Sequence, residues 1–442
     1  MAKKFRKGGV HPPENKSTRN LPCETFPLPE VAVIPLSQHI GAPSVACVEV
    51  GQTVVVGQLI GRSGGFVSAG VHSSVSGRVT AVGDVTDIRG MRTPAVMIEV
   101  EGDTWLDTVD RSEEIVHECD LAPEEIVARV AEAGVVGMGG ATFPTHVKLS
   151  PPPNTKADTL IINGAECEPY ITCDHRLMVE RSREIVVGAT IASRALGVER
   201  TVIAVEANKP DAIEALRLAA AGRVEVAELR TRYPQGGEKQ LIEAVTGRRV
   251  PSGGLPIAVG AVVQNVGTAV AVYEAVQKRK PLIERRLTVT GSGVARGGNF
   301  AVRIGTPFEK LIDHCGGLRD DQIKIISGGP MMGYATGNMQ SPVTKGTTGI
   351  LALSGSEARR RPETSCIKCA KCVSVCPMGL EPYLLIKLVR LGRAADAEPR
   401  AILDCIECGS CAYTCPASLP LLDFIRTGKR TVAQLKRERD AK

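Results

Sequence analysis

Two twelve-residue runs, CIKCAKCVSVCP from Cys366 and CIECGSCAYTCP from Cys405, repeat the spacing C-x2-C-x2-C-x3-C-P. Three thiolates on one tight loop can wrap part of an iron–sulfur cube. The fourth, followed by proline, is carried on a helix to the other cube. The spacing therefore assigns Cys366, Cys369, Cys372 and Cys415 to one [4Fe–4S] cluster, and Cys405, Cys408, Cys411 and Cys376 to a second. Structural zinc needs four ligands per tetrahedral site but has no requirement for this rhythm. Clusters move single electrons and cannot accept a hydride. If a nicotinamide is the donor or acceptor, a flavin must stand between, because flavins handle both one- and two-electron steps.

Two earlier segments have residue types suited to a flavin. GVVGMGGATFPTHVKL (134–149) places Gly134, Gly137, Gly139 and Gly140 ahead of a short helix-compatible stretch ending near Lys148. Glycine lets the backbone approach a ring or phosphate closely, and lysine adds positive charge. Structural turns are the commoner use of such loops. INGAECEPYITCD (162–174) follows at the carboxyl end of an apolar run and groups Asn163, Glu166 and Glu168. Loop carboxylates there can take ribose hydroxyls or a ring N–H, the alternative being a solvated acidic turn. No side chain is singled out as a catalytic acid, base or nucleophile.

The elements that must position these residues divide the chain into a multidomain α/β and α+β protein. After an extension at 1–30, residues 31–108 are valine-rich, alternating and punctuated by glycine turns, a small all-β unit. It resembles the barrel-sandwich fold of biotinyl and lipoyl carriers, which need an exposed lysine. No lysine occurs from Ser17 to Val147, so a carrier role is excluded and a structural or docking role remains. Residues 120–282 alternate strands (159–163, 201–206, 224–229) with helices, one expected over 176–196, and specify a parallel, Rossmann-like α/β layer. Residues 283–335 read as strand–turn–strand–helix–strand and resemble the soluble ligand-binding β-grasp module. A linker at 354–365 opens the ferredoxin-type, helical two-cluster domain of 354–427. A basic tail at 428–442 reads as a charged, frayed helix.

Composition narrows the classes further. With 442 residues, 43% of them hydrophobic, the chain can bury real cores. One Trp, six Tyr and seven Phe are too few for stacking platforms on single-stranded nucleic acid. Of fourteen cysteines, eight lie in the two runs, and without a secretory signal they read as metal ligands rather than a disulfide framework. No apolar run is long enough to span a bilayer, so a cytosolic or peripheral protein is expected. The net charge of +6 is concentrated at the two ends, leaving the body mildly acidic. Basic ends suit an anionic lipid surface or an acidic partner, or are solvated tails.

The glycine loop, the acidic loop, YPQGGEKQLIEAVTGRRVP (233–251) and VVQNVGT (262–268) occur in the order seen in the flavin- and NADH-binding subunit of respiratory complex I. There the pieces read G-R-G-G-A-G-F-P-T-G, N-A-D-E-x-E-P, Y-x-C-G-E-E and N-N-V-E-T. The resemblance implies that Gly137, Gly139, Gly140, Lys148, Asn163, Glu166, Tyr233, Asn265 and Thr268 contact non-covalent FMN, and that Phe143, Glu168 and Glu238 face NAD(H). Met138, Thr142, Ala165 and Gly237 depart from the pattern, mostly on the nucleotide side. With GGVHPPENKSTRN near the N-terminus, the domain order over nearly the whole chain resembles the C-subunit family of Rnf ion-translocating electron-transport complexes. That implies a subunit peripheral to the cytoplasmic face of the membrane. It would exchange electrons between NAD(H), FMN and two [4Fe–4S] clusters, with partner subunits that include a ferredoxin-like iron–sulfur protein and move Na+ or H+. A cobalamin reductase of propanediol-degrading microcompartments has a similar domain set, and a flavin-free cluster relay is the non-enzymatic alternative.

Overall fold

The computed structural model describes residues 2–320 and 322–440. Near the N-terminus the alternating pattern produces two small antiparallel sheets. One has the order Val31–Pro35, Arg92–Val100, Gly77–Thr86, Thr53–Val54; the other has Val45–Ala46, Leu59–Arg62, Val71–His72. The inward members Ala32, Ile34, Val54, Ile60, Val79 and Ile98 are fully buried. Alternate residues of a pleated strand point to opposite faces, so one face makes a core while the other meets water.

A four-stranded parallel sheet follows, in the order Glu225–Leu229, Arg200–Glu206, Thr159–Gly164, Ala261–Asn265. Its two central strands carry apolar runs because both their faces are covered, whereas the edge strand Glu225–Leu229 alternates with exposed glutamates. Ile162, Ile203 and Val205 pack with helices Ser182–Leu196, Pro210–Ala220 and Val266–Gln277. Ile161, Val202 and Val263 pack on the other side against Glu238–Thr246. The single helix expected over 176–196 is two, Cys173–Glu180 and Ser182–Leu196. The break falls at Arg181, whose guanidinium bonds Glu184 and Glu274 instead of lying along a continuous helix face.

The third unit is a six-stranded mixed sheet, ordered Cys23–Thr25, Gly298–Arg303, Glu284–Thr290, Gly349–Ser354, Ile323–Ser327, Tyr334–Thr336. It reaches beyond the expected 283–335. Gly349–Ser354 fills the gap between two strands of the motif, and Cys23–Thr25 adds an edge in parallel with Gly298–Arg303. A strand preceded by a long polar stretch has no local partner, so its sheet could not be read from pattern. In the cysteine region, Pro382–Arg390 packs on one long helix, Leu421–Asp440, through Leu385, Ile386, Leu421, Ile425 and Val432. The expected separate tail is therefore the continuation of that helix, anchored by Val432. No described helix is long and apolar enough to cross a membrane.

The N-terminal extension is not a solvated tail. Phe5 is 1% exposed, Lys3 bridges to Leu229 at the edge of the parallel sheet, and Val10 pairs with Tyr233. Its basic residues are partly consumed internally: Lys3 pairs with Glu225 at 3.0 Å, and the Lys16 side chain is 5% exposed beside Glu166.

Candidate functional site

In the parallel sheet the chain runs outward from Thr159–Gly164 and then returns to pair on that strand's other side. The topological switch point lies between Thr159–Gly164 and Ala261–Asn265, where Asn163 and Asn265 are opposite in register. Ligands of open α/β sheets sit outside the carboxyl ends of strands at such a point.

The glycine loop is fixed over this edge by buried groups. Gly137 N–H donates to Phe143 O at 2.9 Å and closes the loop. Thr268 Oγ1 accepts from Met138 N at 2.9 Å, and the buried Arg285 donates to Met138 O at 2.9 Å and to Thr347 O at 2.8 Å. Asn265 caps helix Val266–Gln277 by accepting from Gly267 N at 2.8 Å, and donates to Asp174 Oδ2 at 2.7 Å. A Cβ on Gly139 would lie 2.7–2.9 Å from the Asn265 side chain, so only glycine permits this approach. Gly140 has nothing within 4 Å of its missing Cβ, and Phe143 is half-buried. Asn163 donates to Gly236 O at 2.9 Å and accepts from Ala165 N at 3.0 Å, drawing the 233–237 loop to the same edge. Lys148 donates to Glu238 at 2.8 Å and to Val263 O at 3.0 Å, so two residues expected to face different ligands form one pair at the rim.

Three residues expected to contact ligand have protein partners of their own. The Glu166 carboxylate accepts from the N–H groups of Asp174 (2.8 Å) and His175 (3.3 Å) in the first turn of Cys173–Glu180. Burial raises its pKa to about 7 against the opposing pull of Lys16. Burial likewise lowers the Lys16 pKa. Glu168 Oε1 accepts from Met331 N (2.7 Å) and Met332 N (3.0 Å), which ties the acidic loop to the turn after Ile323–Ser327. Burial raises Glu168 too, opposed by these two N–H groups. Tyr233, 2% exposed, donates its hydroxyl to Cys408 O at 2.7 Å, inside the cysteine region. Conversely, Asp174 and Arg285 brace the edge although neither stood out by type or spacing. The only cue was Asp174's position at the end of the acidic loop.

Two buried amides beside these loops in sequence are unpartnered and could bond a heteroatom-rich ligand. Gln235, 0% exposed, and Gln264, 3% exposed, have both amide atoms without a partner. They lie next to Gly236 and Asn265, respectively, and buried amides left so are rare unless something else bonds them.

The two cysteine loops are conformational copies. Lys368 and Ala370 in one, Glu407 and Gly409 in the other, occupy the left-handed region at matching positions, and each loop leads into a four-residue helix. Cys376 shares an enclosed cavity with Cys405, Cys408 and Cys411, walled by Met378, Leu380, Ile406, Leu422 and Ile425. Burial pushes Cys405 up to about 11, so iron must displace protons on binding. Leu380 N–H points at Cys376 Sγ and Glu407 N–H at Cys405 Sγ, at 3.3 and 3.4 Å. Burial raises the Cys372 thiol, and the neighbouring Cys415 and Cys369 raise it further. Cys366 and Cys369 are exposed. The cavity of the Cys405 run abuts the switch-point edge: Tyr233 bonds Cys408, and a Cβ on Gly237 would lie 3.5 Å from Ile406.

Four family models match the chain: the RnfC Barrel sandwich hybrid domain over 4–103, the Nuo51 FMN-binding domain over 130–274, the SLBB domain over 286–335 and a 4Fe-4S dicluster domain over 365–419. Together with the fold they define a multidomain iron–sulfur flavoprotein of mixed α/β type, an oxidoreductase component. The C subunit of the proton-translocating ferredoxin:NAD(+) oxidoreductase complex of Clostridium ljungdahlii is 48% identical over 87% of this chain and 84% of its own. Its Na(+)-translocating counterpart from Acetobacterium woodii is 47% identical over 98% of both chains. The C subunit of the ion-translocating oxidoreductase complex of Rhodobacter capsulatus is 45% identical over 96% of this chain and 82% of its own. The chain belongs to this family, the C subunits of Rnf-type ion-translocating ferredoxin:NAD(+) oxidoreductase complexes. A solved NAD+-reducing [NiFe]-hydrogenase shares the fold, with a TM-score of 0.51 and 21% identity over 75% of this chain and 65% of that one.

Proposed function

We propose that this chain passes electrons between NAD(H) and a membrane electron-transport complex, from the cytoplasmic face, using FMN and two [4Fe–4S] clusters. The observation that carries the reading is adjacency. The switch-point edge bearing the glycine loop and the cavity of the Cys405 run share the 233–237 loop. Bound FMN would supply the exchange between hydride and single electrons, and the clusters would carry those electrons singly.

The chain's own residues divide the work. Gly137, Gly139 and Gly140, with Asn163, Asn265 and Thr268, shape the cradle in which FMN would be held, in a Rossmann-like layer. Gln235 and Gln264 would complete its hydrogen bonds. Phe143 and the Lys148–Glu238 pair stand at the open rim, on the side where a nicotinamide nucleotide would enter. Glu166 and Glu168 hold the acidic loop rigid rather than meeting ligand. Cys405, Cys408, Cys411 and Cys376 would bind the inner cluster in an apolar, water-poor cavity, and Cys366, Cys369, Cys372 and Cys415 the outer one. The exposure of Cys366 and Cys369 supports exchange with a ferredoxin-like partner there. The β-grasp unit, whose turn is gripped by Glu168, supports the flavin domain, and the barrel-sandwich unit serves as structure or docking surface without a prosthetic group.

Anaerobic titration of the purified protein with NADH tests this. Flavin and cluster absorption should bleach together. Cluster absorption without flavin bands would mean a relay instead.

A further inference from the structure

The HPPENK stretch near the N-terminus belongs to neither cofactor pocket, yet the segment around it touches both. Gly9 N–H donates to Val375 O at 2.8 Å, one residue before Cys376. Val10 and Tyr233 exchange two backbone bonds, at 2.8 and 3.0 Å. Tyr170 N–H donates to Glu14 O at 2.8 Å, and Glu14 Oε1 accepts from Asn208 at 2.8 Å. Lys16 then enters the acidic loop from its side. Its ammonium donates to the carbonyls of Glu166 (3.0 Å), Glu168 (3.1 Å) and Ile171, and stands 3.7 Å from the Glu166 carboxylate. Thr18 closes the path with a 2.6 Å hydroxyl contact to Thr172.

An ammonium gathering three carbonyls of one loop fixes that loop's curvature, because the carbonyls of a short turn otherwise diverge toward water. Burying the cation there is favourable only while those acceptors and the Glu166 carboxylate surround it. At the other end of the segment, Gly8 lies flat on the cluster loop. A Cβ there would fall 2.5 Å from the Cys376 carbonyl carbon and 2.6 Å from Val375 O, and its φ of +69° is a conformation that favours glycine.

We propose that residues 8–18 form a strap that sets the spacing between the flavin edge and the inner cluster. Lys16 is the positioning residue for the acidic loop, and Gly8 seats the strap against the Cys376 loop. This rests on the function proposed above. The strap spans the place where the α/β layer and the cysteine region meet through Tyr233, so its two ends fix the two cofactor pockets relative to one another. Neither residue touches a reacting atom.

The whole chain, purified anaerobically with its cofactors, provides the test. In Lys16→Met, flavin content should fall by at least half while iron content stays at the wild-type level. Gly8→Ala should keep both flavin and iron. Its inner-cluster paramagnetic resonance spectrum should change, and cluster reduction after flavin reduction by NADH should slow severalfold. A Lys16→Met protein with full flavin and wild-type flavin reduction, or a Gly8→Ala protein with an unchanged spectrum and unchanged inter-cofactor rate, overturns the strap. Wild type that lacks flavin or fails to reduce its clusters with NADH overturns the proposed function instead, so the two failures are distinct. Should Lys16→Met not fold, Gly8→Ala decides alone.

Discussion

Replacing Glu168 by alanine separates a structural acid from a nucleotide ligand. One carboxylate oxygen accepts from Met331 N at 2.7 Å and Met332 N at 3.0 Å. Charge-assisted bonds of this kind contribute roughly 1.5–3 kcal/mol each, so the gross loss is about 3–6 kcal/mol. The two donors do not suffer equally. Met332 is 44% exposed, and its N–H can turn to water, whereas Met331 is 8% exposed and cannot. The net penalty is therefore closer to one bond, about 1.5–3 kcal/mol, localised in the 329–333 turn. That is about a 10- to 100-fold rise in the local opening equilibrium, read as faster amide exchange in a peptide covering 327–336. Glu168→Gln keeps a carbonyl acceptor and loses only the charge, so its exchange should rise less. Flavin content should stay near wild type in both. Unchanged exchange in Glu168→Ala, together with a weakened apparent NADH affinity, would refute this and restore the residue to the nucleotide.

The cavity shared by Cys376 and the Cys405 run predicts that Cys376→Ala loses the inner cluster and retains the outer one. A paramagnetic resonance spectrum missing only the Cys366-run signal contradicts that partition. Thr268→Val and Asn265→Ala each remove a brace of the glycine loop, and purified protein should carry substantially less flavin with iron unchanged; full occupancy in both would place FMN elsewhere. Lys345, fully buried with its ammonium on Gly70 O (2.7 Å) and Gly134 O (2.8 Å), is lowered from 10.5 to about 7 by burial alone. The unfolded chain then binds the extra proton between pH 7 and 10.5, so stability rises with pH across that window, and the penalty is fully present below it. The full span is about 5 kcal/mol at most. The unfolding midpoint of the wild type should climb relative to Lys345→Met between pH 7 and 10, and parallel profiles would dismiss the effect. Intact mass should show no biotin or lipoate on residues 31–108, which contain no lysine; either adduct would reverse that exclusion.

Legibility from sequence tracked how local the cause was. The two cysteine runs announce themselves because one loop supplies three ligands, and even the exchange of the fourth follows from spacing. The parallel strands were readable because burial on both faces leaves unbroken apolar runs such as Thr159–Gly164. Asn163, Asn265 and the glycine loop come together because strand register at the switch point sets the two asparagines opposite one another and Gly139 approaches Asn265. Side-chain direction was not readable. Glu166, Glu168 and Tyr233 sit on the expected loops, but their polar atoms are engaged by partners distant in sequence (Lys16, Met331, Cys408), which no local pattern announces. Long-range pairing hid the strand Gly349–Ser354 in the same way, and an extension rich in lysine and proline gave no sign that Phe5 and Lys16 are buried.

The unequal shelter of the two cysteine loops also orders how the protein ages in air. Cys408, Cys411 and Cys376 are at most 9% exposed, whereas Cys366 and Cys369 stand at the surface. Oxidation of cysteine sulfur follows exposure, so dioxygen meets the outer site first and the inner one only after the cysteine region loosens. A partly oxidised sample would then lose its outer site before its inner one. Under the proposed function, exchange with the nucleotide would then outlast exchange with another protein. The same surface that makes exchange fast makes it perishable, and a protein docked over Cys366 and Cys369 would act as a seal as well as a conductor.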